Sequence, residues 1–299
     1  MSSDIYADIT ARIVAALEAG TPPWVRPWSA AGSTLPVNAT THRPYRGINV
    51  LLLAMEAVAH GYTDSRWLTF RQATTVGGRV RKGEHGTTVV FWKLREIGET
   101  TEPMESMADT ACRRVVPLLR CFTVFNVAQV DGLPPALTPA LPFAPAWQCR
   151  EEAEAIIDHS GAEVRHGGGR AYYQPAADFI QLPPRAAFTD ASSYYATALH
   201  ELVHWTGHPA RLKRQLAGRF GDDAYAAEEL VAELGAAFLC AHCRLDGELQ
   251  HASYVGSWLR VLKQDKRAIF VASTKAQHAA DFLLGQVTDR TDTSVLAVA

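Results

Sequence analysis

Apolar positions recur at helical spacing at the very start of the chain, where Ile5, Ile9, Ile13 and Leu17 stand one turn apart among polar residues. The spacing predicts an amphipathic helix that ends at Gly20. TPPWVRPW follows as an irregular aromatic segment, and INVLLLAMEAVAH then reads as a second helix closed by Gly61. TFRQATTVGG has the signals of a short third helix, with Thr69 as its cap and a Gly-Gly stop. The pattern next changes to alternation: GRVRKGEHGTTVVFWKL turns around KGEHG, and RRVVPLLRCFTVFNV adds further strand. The acidic, polar stretch IGETTEPMESMADTA (97–111) reads as an excursion between these strands.

A seam follows. DGLPPALTPALPFAPAW, residues 131–147, holds five prolines and almost no charge, which favours extended backbone and reads as a semi-rigid linker. Beyond it the pattern predicts a helix near 148–160, β-like AYYQPAADFIQLP, long helices over about 190–206 and 222–243, and a last helical stretch ending near Leu284. The expectation is an α+β chain of two domains: a mixed α/β region over 1–130, the linker at 131–147, and a second domain over 148–299.

At 299 residues the chain is long enough for each part to bury a core. The N-terminus lacks the basic and apolar runs of a signal peptide, and the richest apolar run is broken by Glu56 and too short to span a bilayer. Five cysteines are an odd number for a disulfide framework, and Cys240 and Cys243 fall within a helical stretch. Together these predict a cytoplasmic protein with reduced thiols, Cys240 and Cys243 buried in a helix, and no membrane partner.

The formal charge of −2 conceals an asymmetry. Residues 1–130 carry 14 Lys+Arg against 11 Asp+Glu, and residues 131–299 carry 15 against 20. Within 41–95 the count is 9 against 3, mostly arginine interleaved with aromatics. Arginine grips phosphate and stacks on bases, and aromatic faces stack bases without regard to sequence. Arg43, Tyr45, Arg46, Arg66, Trp67, Arg71, Arg79, Arg81, Lys82, Trp92 and Lys93 are the candidates for holding single-stranded DNA. A solvated basic face over a core containing Trp67, Phe70, Phe91 and Trp92 is the competing reading.

The C-terminal half holds a sharper signal. In ALHELVHWTGHP, His200 and His204 stand four apart on a predicted helix capped near Thr189–Asp190 and stopped at Gly207, so both imidazoles reach one ion. Glu201 is turned about 100° away. There it can act as general base toward water activated by zinc. His208 falls past the helix stop and is read as a surface or supporting residue, because a third histidine at metzincin spacing would occupy the position of Ala210. The better third ligand is Glu229 on the next helix, with Glu233 one turn on to orient a histidine. Periodicity leaves Glu228 as the rival. Other divalent transition metals fit the same donors. This His-His-Glu set resembles the gluzincin branch of the zincins, in which AYYQPAADFIQLP would be the edge strand that pairs with an extended peptide. Tyr172, Tyr173, Tyr194, Tyr195, His251 and His278 are all open as oxyanion partners.

The combined stretches resemble the ArdC-type antirestriction proteins of conjugative plasmids. They are Y-x-x-I-T-x-x-I, NATTHRPYRGIN, WLTFRQA, the G-G-x-V-R-K-G-E-x-G-T-x-V-V-F-W block, V-F-N-V-x-Q-V-D-G-L, HELVHWTGH, EELVAELGAAFLC and A-S-x-K-A-Q-x-A-A-D-F-L. The first half is also similar to the leading segment of some conjugative DNA primases. The resemblance implies a single-strand-binding domain joined to a zincin-like domain with metallopeptidase-type residues His200, His204, Glu201 and Glu229. It implies protection of incoming DNA, with a protein or peptide linked to restriction as a further partner. The alternative is a protein that only coats DNA and whose zinc is structural.

Overall fold

A computed structural model describes residues 4–20, 22, 24, 35–97, 114–137, 146–216, 222–245 and 254–285, apart from the side chains of 93–97, 114–117 and 146–150. The stretch 98–111, most of TPPWVRPW, the middle of the proline-rich run, His251 and the last residues lie outside this set.

The first helix, α1 (Ile5–Glu18), starts on Asp4, whose carboxylate accepts the backbone N–H of Tyr6 and Ala7. It buries the predicted stripe, Ile9, Ile13 and Leu17. α2 (Ile48–His60) ends on Gly61 at φ 65°, a left-handed position that glycine fills without strain. α3 (Phe70–Thr75) begins with a capping box: Thr69 and Gln72 each accept the other's backbone N–H. Around these lies a sheet ordered β1 (Val37–Asn38), β2 (Arg66–Thr69), β5 (Arg114–Asn126), β4 (Thr87–Ile97). The β4–β5 pair is antiparallel along its whole length, from Thr87 opposite Val124 to Ile97 opposite Arg114. β4 is an edge of this sheet, and Asn49 covers it. The Asn49 amide donates to the Val90 carbonyl at 2.7 Å and its oxygen accepts the Val90 N–H at 2.8 Å, standing in for a neighbouring strand. β3 (Arg79–Val80) pairs with β6 (Val130–Asp131) as a separate two-stranded ribbon.

The C-terminal part opens with α4 (Ala146–Ser160), so the helix begins slightly before its expected start. β7 (Glu163–His166), β8 (Tyr172–Gln174) and β9 (Phe179–Leu182) form a sheet ordered β7-β9-β8. Then come α5 (Ala191–Thr206), α6 (Asp223–His242), α7 (Val255–Gln264) and α8 (Ala268–Leu283). α6 is buried nearly all round from Ala226 to Ala241, as a helix at the centre of a layered core is, and carries three buried glutamates there. It lies against α5, α7 and α8. The final helical stretch is therefore two helices.

The largest core unites both halves. Ile9, Ile13 and Leu17 of α1 and Leu51 and Leu52 of α2 belong to one buried cluster with Leu199, Leu234 and Ile269. Trp24 meets Trp258 edge-on at 5.6 Å. Two smaller clusters, around Leu68 and Trp67, lie wholly within the N-terminal half. No helix among the described residues is long and apolar enough to cross a membrane.

Candidate metal centre

α5 starts where the capping signal places it. Asp190 accepts the Ser193 N–H at 2.8 Å, which fixes the register that brings His200 and His204 round to α6. Gly207 ends the helix, but its φ of −73° needs no glycine. Its role is space: a Cβ there would lie 2.6 Å from the Leu216 side chain and 3.0 Å from the Arg214 guanidinium.

Arg214, in the loop after α5, decides what each carboxylate of α6 does. Its guanidinium grips Glu228, with Nη2 to Oε1 at 2.8 Å and Nε to Oε2 at 3.1 Å. Glu228 in turn accepts from Nδ1 of His204 at 3.4 Å. Glu233 stands 3.6 Å from Nδ1 of His200. Each histidine therefore has an acid behind it, and the opposite nitrogen of each ring turns to a common point. The two Nε2 atoms are 3.2 Å apart. Glu229 completes the set with one oxygen toward each ring, Oε2 at 3.6 Å from Nε2 of His200 and Oε1 at 3.5 Å from Nε2 of His204. Tetrahedral donors about 2.0–2.1 Å from zinc sit about 3.4 Å from one another, and one donor atom from each of His200, His204 and Glu229 lies within 4.8 Å of the others, close enough for the three to gather round one ion. Glu228, the rival third ligand, is engaged with Arg214 and the back of His204.

The electrostatics favour a cation. Burial alone would keep both imidazoles neutral, but Glu229 and Glu233 push His200 up to about 9, and Glu228 and Glu229 push His204 up to about 10. Burial likewise works against charge on Glu229, and the two histidines outweigh it, holding that carboxyl well below its ordinary range. Glu201 is buried on α5 and contributes its charge to both histidines.

None of the described candidates for an oxyanion partner joins this group. Tyr172 is exposed against Phe179, Tyr173 donates to Asp178, Tyr194 meets His166, and Tyr195 donates to Glu154 at 2.8 Å. His278 lies on the exposed side of α8. Two tyrosines outside that set do approach: Tyr225 and Tyr254 bring their hydroxyls to 3.3 Å, and that of Tyr225 also bonds Glu229. Burial raises both phenols, and the hydrogen bond to Tyr254 and the charge of Glu229 raise Tyr225 further. The four-residue spacing Tyr225-Ala-Ala-Glu-Glu229 carried that signal in the sequence. Nothing local marked Arg214. Of the proposed substrate strand, β8 is an edge, while β9 is the central strand of its sheet.

In the basic half the candidates separate. Arg43, Arg71, Arg79 and Lys82 are exposed, and Trp92 is 47% exposed. Phe70, expected in the core under the competing reading, is 62% exposed. Trp67 is 1% exposed and packs in the core, so it offers no face to a strand. Tyr45 is largely buried. Arg66 is held by Asp64 at 2.8 Å, Arg81 by Glu84 at 2.6 Å, and Arg46 by Asp281. Each of these three arginines thus has a carboxylate partner, although Arg81 is itself exposed. The Lys93 side chain lies outside the described residues.

Residues 3–125 match the family described as the N-terminal domain of anti-restriction factor ArdC, and residues 151–275 match one described as zincin-like metallopeptidase. The crystal structure of antirestriction ArdC protein from plasmid R388, in its metal-free form, is 42% identical, with a TM-score of 0.79 over 95% of this chain and 98% of that one. The chain belongs to the ArdC antirestriction family. The Mn(II)-bound structure of the R388 ArdC protein superposes with a TM-score of 0.76 over 96% of this chain and 100% of that one. An uncharacterized protein y4eC of Sinorhizobium fredii is 44% identical over 96% of this chain and 94% of its own length. DNA primase TraC of Escherichia coli is 41% identical over 93% of this chain, which spans 27% of that larger protein. Both relations extend across both halves of this chain, so the likeness to the primase is not confined to the first half as expected, although this chain spans only 27% of TraC.

Proposed function

We propose that this ArdC-family protein acts in the cytoplasm to protect incoming conjugative DNA from restriction. In this reading it binds single strands without sequence preference and carries a zinc-dependent metallopeptidase-type site. DNA binding is assigned to residues 1–130 and the metal site to 148–299, on either side of the proline-rich run at 131–147. His200, His204 and Glu229 hold the ion, Glu228 and Glu233 fix the histidine tautomers, and Glu201 is the general base. The observation that carries the proposal is the set of donors, each histidine backed by a separate acid. The existence of a Mn(II)-bound form of the R388 ArdC protein supports a divalent ion here.

When bound, such an ion supplies Lewis acidity: it polarises a carbonyl and brings the pKa of water near 7. Glu201, one residue on from His200, takes the proton of an attacking water on its carboxylate and can pass it to the departing amine. Tyr225 and Tyr254 are hydroxyl donors at neutral pH, as any phenol is, and burial raises both further. The exposed set Arg43, Arg71, Arg79, Lys82, Phe70 and Trp92 combines phosphate charge with ring faces, which suits a strand held by charge and stacking.

Glu201→Gln tests the enzymatic part. It should leave bound metal and binding of oligonucleotides unchanged and abolish peptide hydrolysis together with protection during plasmid transfer. Full protection by the variant, with metal content confirmed by elemental analysis, would instead mean that coating the DNA suffices and the ion is structural.

A further inference from the structure

Between the edge strand β4 and helix α8 lies a cleft of about 380 Å³, within the range of small-molecule sites. Tyr45, Phe91 and Phe122 line it on one face of the sheet, with Phe91 and Phe122 edge-to-face at 5.5 Å, and Trp92 lines it from the opposite face of the same edge strand. The other side is α8, with Phe270, Thr274 and His278. The two sides are tied together by the Arg46–Asp281 ion pair and by the Gly47 N–H, which donates to Gln277 at 2.9 Å. No aspartate or glutamate is among the lining residues, and Arg43 at the rim has no carboxylate partner among the described residues. Trp92 and Phe91 are left partly exposed.

We infer that this cleft receives a nucleobase of the bound single strand, so that α8, from the metal-binding half, forms part of the DNA site. This rests on the single-strand reading proposed above. Three features select that occupant. Aromatic rings line the cleft, the rim carries Arg43 and no acid, and most of its lining comes from the stretch where 9 Lys+Arg face 3 Asp+Glu. A flat base stacks on such rings while its phosphates stay at the rim near Arg43.

The cleft stacks bases without reading them. The hydroxyls of Ser273 and Thr274 are both donated to the Phe270 carbonyl. Gln277 is engaged at both ends, accepting from Gly47 and donating to Asp281. Few groups remain to distinguish base edges, so purine and pyrimidine strands bind alike.

The test uses the full chain, fluorescein-labelled oligothymidylate and oligodeoxyadenylate, and anisotropy at low salt. Trp92→Ala should weaken both strands about ten-fold. His278→Glu, on the opposite wall, should weaken them about five-fold, by an amount that shrinks as salt is added. Both side chains are exposed, and unchanged thermal unfolding confirms that each variant folds. A strand carrying 5-iododeoxyuridine should crosslink to Tyr45, Phe91, Trp92 or α8. If the wild type binds but both variants match it and crosslinks fall only at Phe70, the cleft is not the base site while single-strand binding stands. If the wild type binds no strand at low salt, both readings fall. A cleft that takes a peptide instead would also leave both variants at wild-type DNA affinity, which overturns the inference.

Discussion

Glu228 and Glu229 are adjacent on one helix and both buried, yet their surroundings give them opposite work. Glu229 faces the Nε2 atoms of both histidines, whereas Glu228 faces Arg214 and the Nδ1 of one. Removing a ligand should therefore cost more than removing an orienting acid. Glu229→Ala is expected to reduce metal affinity by more than about 100-fold, and Glu228→Gln by about 10–100-fold. Competition against a chromophoric chelator measures both, and the reverse order would exchange the two roles. A second residue acts on the same site from the helix start. Asp190→Ala should cost about 1 kcal/mol of stability in urea unfolding at neutral pH. The Ser193 N–H holds the Asp190 carboxyl below its ordinary value. Its contribution is therefore complete above the unfolded value of about 3.9 and lost as pH falls through the lower folded one. The gap between wild type and variant should accordingly close in acid, and a gap that persists there would assign the loss to something other than the cap.

The two helices of the metal site approach closely because Gly235 has no side chain. A Cβ there would lie 2.8 Å and 2.9 Å from the two γ carbons of Val203, one residue before His204. Helix propensity alone favours alanine over glycine by about 1 kcal/mol, but overpacking in a tight core costs about 1–3 kcal/mol. Gly235→Ala should therefore destabilise the protein and weaken metal binding by parting α5 from α6. Adding Val203→Ala should recover part of both losses, and a double-mutant cycle showing simple additivity would mean the two positions do not meet. This contact was invisible in the sequence, as was Arg214, because each depends on which faces two distant segments turn to one another. Capped and periodic elements were legible. Asp190, Thr69 and Gly61 fall where their side chains or backbone freedom predict, and helical spacing puts His200 with His204 and Glu229 with Glu233, but it leaves Glu228 as a rival that only the Arg214 contact sets apart. β7 was missed because EVRH is mostly exposed and has no apolar alternation, and β2 because RWLT reads as the run into α3. Composition suggested Trp67, Arg66, Arg46 and Arg81 as DNA contacts. It cannot tell an arginine facing solvent from one satisfied by an internal carboxylate.

At the scale of the molecule, the two halves share one interior. α1 and α2 supply buried side chains to the same cluster as α5, α6 and α8, and Thr10 donates to the Lys266 carbonyl at 2.8 Å across that junction. An interior held in common has no plane along which one half can melt while the other stays folded. The junction also holds a charge that would be costly if stranded: Asp281 is only 5% exposed in its side chain, and Arg46 and Gln277 answer it. Arg46→Ala leaves that carboxylate with the neutral amide alone. The cost should be about 1–2 kcal/mol, less than for a wholly buried pair because Arg46 itself is partly in solvent. Asp281→Asn should cost less, since an amide needs no counter-ion. Both variants should move the whole thermal transition to lower temperature without splitting it, whether unfolding is followed by tryptophan fluorescence or by release of the bound metal. Two separated transitions, or loss of metal with the N-terminal half still folded, would show that the halves are independent units resting against each other.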